Sequence, residues 1–278
     1  MVAVVLALLS AATYGVGDFC GGMAARRIPA TSVLLWSHLL GLGLLVAVVP
    51  FVGGSAAGGD LLIGAVGGLC GAAGVGFLYK GLSVGPMSVV APITALLSAT
   101  VPVLVGFLEG ERPAASVTTG MVGALIAIVL VSAESRSRLH ASDLSGVRFA
   151  LASGLGFGLF FVALSHVGDD SGLWPLVAAR GASVAAVGSL ALLGLISRAL
   201  PRPGARAFTA AAGSLDAAAN VLFLLAARQG LLSIVAVLAA LYPVSTVLLA
   251  RIVLRERFAR LQRIGMAIAL PAVVLMAR

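Results

Sequence analysis

The sequence predicts an all-α membrane protein: ten transmembrane helices in two inverted five-helix repeats. Three observations carry this. The chain of 278 residues is 60% hydrophobic and only 10% charged, against about 25% charged in a soluble domain, so its apolar surface calls for lipid. Ten apolar segments of about 17–25 residues, the length that crosses a bilayer, follow one another with short connections. A 46-residue stretch, Gly85 to Leu130, also recurs without a gap at Gly230 to Leu275, with 17 positions identical.

The segments run in order. Span one, 2–22, has no basic residue before it, and Arg26 and Arg27 follow it. It reads as a retained span whose C-terminal end is held inside, and not as a cleaved signal peptide. Span two, 31–51, carries Trp36 and His38. Span three, 61–81, is rich in glycine, and Gly64, Gly68, Gly67 and Gly71 stand at the four-residue spacing that lets helix backbones approach. Span four, 87–108, contains Pro92 and Pro102. Span five, 114–133, begins just after Pro113. Spans six to ten cover 146–166, 173–196, 207–227, 231–253 and 260–277. Span nine contains Pro243. Each proline removes an N–H and frees a carbonyl, which reads either as a packed kink or as a hinge lining a pathway.

The repeat sets the organisation: a first five-helix unit over 1–133, a second over 146–278, and a connecting loop at 134–145. The polar matches are the most telling. Ser88 falls on Ser233, Gly120 on Gly265, and Glu111-Arg112 on Glu256-Arg257. At a shift of 143, Ser10, Tyr14 and Gly15 fall on Ser153, Phe157 and Gly158. A unit with an odd number of spans must cross in the opposite sense the second time. Repeats of that kind build transporters whose substrate site lies between the halves near the midplane.

The formal net charge is +8. The basic residues stand between apolar runs, without a basic stripe or interleaved aromatics, which excludes a nucleic-acid surface. Connections after odd-numbered spans carry fourteen Lys and Arg, and the opposite side carries three, namely Arg112, Arg228 and Arg278. The positive-inside rule then places both termini outside the cytoplasm. Cys20 and Cys70 have no metal spacing and read as small apolar fillers. No nucleophile motif, zinc motif or phosphate loop is present, so no catalytic residue, metal or cofactor is expected.

What remains is a set of polar side chains inside apolar spans, each expensive in lipid and therefore facing a partner or a cavity. Tyr14 and Asp18 share a face of span one. His38 lies in span two, where a neutral ring bonded to a carbonyl is the simplest reading. Arg180 lies in span seven, and Asp216 and Asn220 stand one turn apart in span eight. Tyr79 and Tyr242 add hydroxyls in spans three and nine. Arg180 and Asp216 read either as a fixed ion pair or, with the others, as lining of one cavity that binds substrate or a coupling proton. Glu111 and Glu256 each precede a new helix and are expected to cap turns at the positive end of its dipole.

The aromatic-glycine motif Tyr14-Gly15-Val16-Gly17-Asp18-Phe19, the turn Gly110-Glu111-Arg112 and its echo Arg255-Glu256-Arg257, set on ten spans in two inverted halves, resemble the EamA family of the drug/metabolite transporter superfamily. The family more often has Trp where this chain has Tyr14, and the second echo lacks the glycine before its Glu. The resemblance covers essentially the whole chain. It implies a multi-pass carrier of the bacterial inner membrane, often an exporter, that takes a small-molecule solute through a central cavity by alternating access. A proton or another ion is the coupling partner to expect. A monomer and a homodimer both fit the sequence. A membrane sensor or scaffold that transports nothing is the alternative, and an intramembrane enzyme would need a nucleophile or metal cluster that the sequence does not show.

Overall fold

The computed structural model describes residues 1–84, 87–132, 143–253 and 260–277. Among these the structure is helical, with no strand. The helices are α1 (Val2–Ala25), α2 (Ala30–Val52), α3 (Gly58–Val84), α4 (Met87–Leu108), α5 (Ala115–Ser132), α6 (Asp143–Ser165), α7 (Trp174–Leu192), α8 (Pro203–Ala227), α9 (Leu232–Ala239), α10 (Tyr242–Val253) and α11 (Arg260–Met276), with a short 3-10 turn at Asp169–Ser171. Seven of them, α1 to α4 and α6 to α8, are long and apolar enough to cross a membrane. Glu256 and most of the 134–145 connection lie outside the described residues.

Local chemistry sets the ends. α7 and α8 open with Pro175 and Pro203 in the first turn, where a missing N–H costs nothing and the fixed φ suits a helix. α2 stops at Gly53, whose φ of 75° is a left-handed conformation that glycine adopts without steric penalty. The ninth expected span is not one helix. Pro243 has no N–H for the Ala239 carbonyl, and the chain breaks between α9 and α10. The break passes through tight turns from Leu241 N–H to Leu238 O (3.1 Å) and Val244 N–H to Leu241 O (2.9 Å). Pro92 and Pro102 leave α4 continuous.

The two repeats pack into each other. α1 lies on α8, α3 on α6, and α5 on α11. Ser10 of α1 donates to the Ala219 carbonyl of α8 at 2.8 Å, and Ser153 of α6 donates to the Gly74 carbonyl of α3 at 2.8 Å. These residues correspond between the repeats, so the same bond occurs twice. A Cβ on Gly120 would sit 2.7 Å from the Ala272 carbonyl, and one on Gly265 would sit 2.9 Å from the Ala127 carbonyl. The glycines and their partners are again matched at the 145-residue shift. The contact between α5 and α11 therefore needs glycine on both sides.

Candidate functional site

Four of the expected polar residues form one chain of contacts. Arg180 of α7 is 8% exposed, and its guanidinium pairs with the Asp216 carboxylate of α8. Asn220 stands one helical turn beyond Asp216. Its amide donates to the Asp216 carbonyl at 2.7 Å and to the carboxylate at 3.1 Å. Its other end accepts the Tyr14 hydroxyl of α1 at 2.5 Å. The i, i+4 spacing puts Asp216 and Asn220 on one face of α8, and the packing of α1 on α8 brings Tyr14 to it. Pairing satisfies the buried guanidinium and the partly buried carboxylate, either of which would be costly to desolvate alone.

His38 of α2 bonds through Nδ1 to the Ser183 hydroxyl of α7, not to a backbone carbonyl as the sequence suggested. Ser183 lies one turn beyond Arg180, so α7 presents both to the same region. The His38 Nε2 is buried without a hydrogen-bond partner among the described residues. Asp18 is partly buried on α1 and forms no ion pair among the described residues. Its helix face also carries Tyr14.

Between the repeats lies a small cavity lined by residues of both. One wall is polar, made by Tyr14, Arg180, Ser183, Asp216 and Asn220. The other is apolar, made largely by the small residues of α3 and by Phe157 and Phe160 of α6. The asymmetry follows from the repeat: Asp216 and Asn220 correspond to Gly71 and Val75, both on the apolar wall. Close approach shapes the walls. A Cβ on Gly68 would run into the backbone of Ala179, and one on Gly213 into the backbone of Ser37. Of the six expected substrate or proton residues, Tyr14, Arg180, Asp216 and Asn220 line this cavity. His38 reaches it through Ser183, and Asp18 is not among its lining residues. Ser183, Phe157 and Phe160 were not singled out from sequence as site residues, although Phe157 stands over Tyr14 in the repeat.

At one end of the bundle the connections that follow α2, α4, α6 and α8 are tied to one another. The Glu111 carboxylate accepts the Leu232 and Ser233 N–H groups at 2.6 and 3.1 Å. It therefore caps the N-terminus of α9, across the molecule, and not the helix that follows it in sequence. Arg228 donates to the Gly168 and Gly172 carbonyls, both at 2.9 Å. Gly168 N–H reaches Asp60 at 3.1 Å, and Ser55 N–H reaches the Asp170 carbonyl at 2.8 Å. His166 bridges the Val162 carbonyl at 2.8 Å and Glu109 at 2.7 Å. The bond to Val162, with a further contribution from Glu109, holds the His166 imidazole above the usual histidine value, against the opposing effect of burial.

A solved crystal structure shares the fold, with a TM-score of 0.80 and 17% sequence identity over 99% of this chain and 98% of that one. No curated protein matches the chain. The model of the EamA-like transporter family matches twice, over residues 1–133 and 144–278. Ser10 and Ser153, which make corresponding contacts, fall one in each match. With nearly its whole length in those two matches, the chain belongs to the EamA-like transporter family.

Proposed function

We propose that the protein is a secondary transporter that exports a small organic solute by alternating access through the cavity between its repeats. The carrying observation is that cavity, lined by α1 to α3 of the first repeat and α6 to α8 of the second, with its polar side chains on one wall. Inverted repeats that meet at a central site permit the same rocking motion in either direction. The contacts that tie one end of the bundle, and the Arg180–Asp216 pair beside the cavity, supply groups that such a cycle makes and breaks. The chain sits in the bacterial inner membrane as ten spans, α9 and α10 together making the ninth, with both termini outside the cytoplasm. This orientation rests on the fourteen-to-three distribution of Lys and Arg. The tied end then faces outward. The small apolar wall and the buried polar wall favour a solute with both apolar and polar parts. A sensor or scaffold would bury its polar residues in pairs and have no use for the space between them.

The test is uptake of a broad metabolite panel into proteoliposomes, with and without a pH gradient. Flux above that of protein-free vesicles, abolished by filling the cavity with Gly71→Phe, is the expected result. No flux across the panel removes the transport reading in favour of the sensor or scaffold.

A further inference from the structure

The end of the bundle opposite the tied connections carries a patch of arginines. Arg26 and Arg27 stand between α1 and α2, Arg198 and Arg202 between α7 and α8, and Arg206 in the first turn of α8. The fold lays one connection on the other. Ser32 donates to the Ser197 carbonyl at 3.2 Å and stands 3.1 Å from the Ser197 hydroxyl. The Trp36 indole N–H reaches the Ala199 carbonyl at 3.2 Å. Arg27 donates to the Gly204 carbonyl, and its guanidinium lies 4.8 Å from the centre of the Phe208 ring. Arg198 stands between Ser197 and Ala199, so these contacts hold its backbone beside Trp36.

Nearby sequence offers these cations no counter-charge. No Asp or Glu occurs between Asp18 and Asp60, or between Asp170 and Asp216. Asp18 and Asp216 lie about two helical turns or more inside α1 and α8. All five arginines are exposed, and none forms an ion pair among the described residues. The Arg27 and Arg206 side chains donate to backbone carbonyls. Those of Arg26, Arg198 and Arg202 have no hydrogen-bond partner among the described residues. The connection after α7 is also apolar: Leu192, Leu193, Leu195 and Leu200 are each at least two-thirds exposed. A free anion in water would satisfy the guanidinium groups and leave these leucines wet. A bilayer surface suits both. Lipid phosphate oxygens accept the paired guanidinium bonds, and leucines on a basic segment sink into the boundary of headgroups and acyl chains. Trp36, partly exposed beside them, is a residue type that collects at that level.

We propose that Arg26, Arg27, Arg198, Arg202 and Arg206 form a docking site for the headgroup of an anionic phospholipid, with the leucines of the α7–α8 connection among its acyl chains. The bias of Lys and Arg along the sequence orients each loop singly. It does not bring a loop of the first repeat and a loop of the second onto one headgroup, as these contacts do. A lipid held there bridges the two repeats at this end. In the orientation proposed above it belongs to the cytoplasmic leaflet, whose anionic lipids attract basic segments. The site needs only a membrane-embedded chain, so its test stands whether or not the protein transports.

The two tryptophans, Trp36 and Trp174, report on opposite ends. The experiment is fluorescence quenching of the full-length protein in phosphatidylcholine bilayers doped with brominated phosphatidylglycerol or, separately, brominated phosphatidylcholine. With Trp174→Phe leaving Trp36 as reporter, the anionic lipid should quench at a mole fraction at least about fivefold lower, the effect of one well-placed basic residue. The preference should fall below about twofold in Arg26→Gln/Arg198→Gln/Arg202→Gln and persist in Arg26→Lys/Arg198→Lys/Arg202→Lys. Monodisperse elution and helical circular dichroism identify folded variants. Should the glutamine triple fail to fold, Arg198→Gln/Arg202→Gln decides. Equal quenching of Trp36 by the two lipids overturns the site, as does an unchanged preference in the folded glutamine variant. The same preference at Trp174, read in Trp36→Phe, assigns the effect to overall charge and overturns it. Loss of the preference when inorganic phosphate replaces chloride at equal ionic strength assigns a soluble-anion site and also overturns it.

Discussion

Arg180 and Asp216 show how a single residue's role depends on what it touches. The sequence placed opposite charges in neighbouring spans, so their pairing was one of the readings it allowed. It did not show that Asn220 would link the pair to Tyr14, because that bond joins residues 206 positions apart. Nor did it show that His38 would meet Ser183, a residue made significant only by its place one turn beyond Arg180. Removing one partner strands a buried charge, which costs about 3–5 kcal/mol, whereas replacing both by apolar groups of similar volume is often neutral or better. Arg180→Met alone and Asp216→Leu alone should therefore lower the melting temperature in detergent, and the double variant should recover most of the loss. Transport should be impaired in all three. Damage in the double variant equal to the sum of the singles would show that the two do not act as a pair.

At the scale of the element, the apolar runs were legible almost to their ends, because length and hydropathy are local properties. Gly58–Val84 and Pro203–Ala227 begin a few residues earlier than the apolar runs suggested, since helix formation continues past the lipid-like core. The ninth span was legible as apolar and as proline-bearing, but not as broken. In α4 two prolines leave the helix continuous, so proline alone does not decide. What distinguishes Pro243 is its surroundings. Thr246 donates to the Gly15 carbonyl at 3.1 Å and the Tyr242 carbonyl at 3.2 Å, and Ser245 donates to the Tyr242 carbonyl at 2.8 Å, so side chains satisfy backbone beside the break. Pro243→Ala restores a donor for the Ala239 carbonyl and allows α9 and α10 to join. Proline inside a helix costs about 3 kcal/mol or more, and packing already fitted to the break returns only part of it. The variant should melt at a higher temperature and transport several-fold more slowly. Faster or unchanged flux would mean that the break is not a hinge.

At the scale of the whole molecule, the repeat was legible because its polar landmarks survive in both copies. The fold then gave each landmark the same contact twice, as with Ser10 and Ser153. The target of Glu111 was not legible. A cap is readable from sequence when it adjoins its helix, and this one spans 121 positions. Its position makes it a latch: the turn after α4 holds the start of α9, so the two cannot part at this end while the bonds stand. His166 and Glu109 add a second, exposed tie between α6 and the end of α4, worth at most about 1 kcal/mol because water screens it. The His166 value is raised in the folded state, so this tie is present at lower pH and lost as pH rises through that raised value. Glu111→Ala removes two acceptors from buried N–H groups, a loss of about 1–3 kcal/mol each where nothing replaces them. The closed end should then open more often. The check is a cysteine at Ala72, which lines the cavity, in a chain with Cys20 and Cys70 replaced by Ala. A membrane-impermeant maleimide applied to the tied face of oriented vesicles should label Ala72→Cys faster once Glu111→Ala is added, and faster again at alkaline pH at equal thiolate reactivity, measured against an exposed control cysteine. Labelling from that face that is indifferent to Glu111 would mean that the cavity is reached another way and that the cap on α9 serves only the stability of its helix.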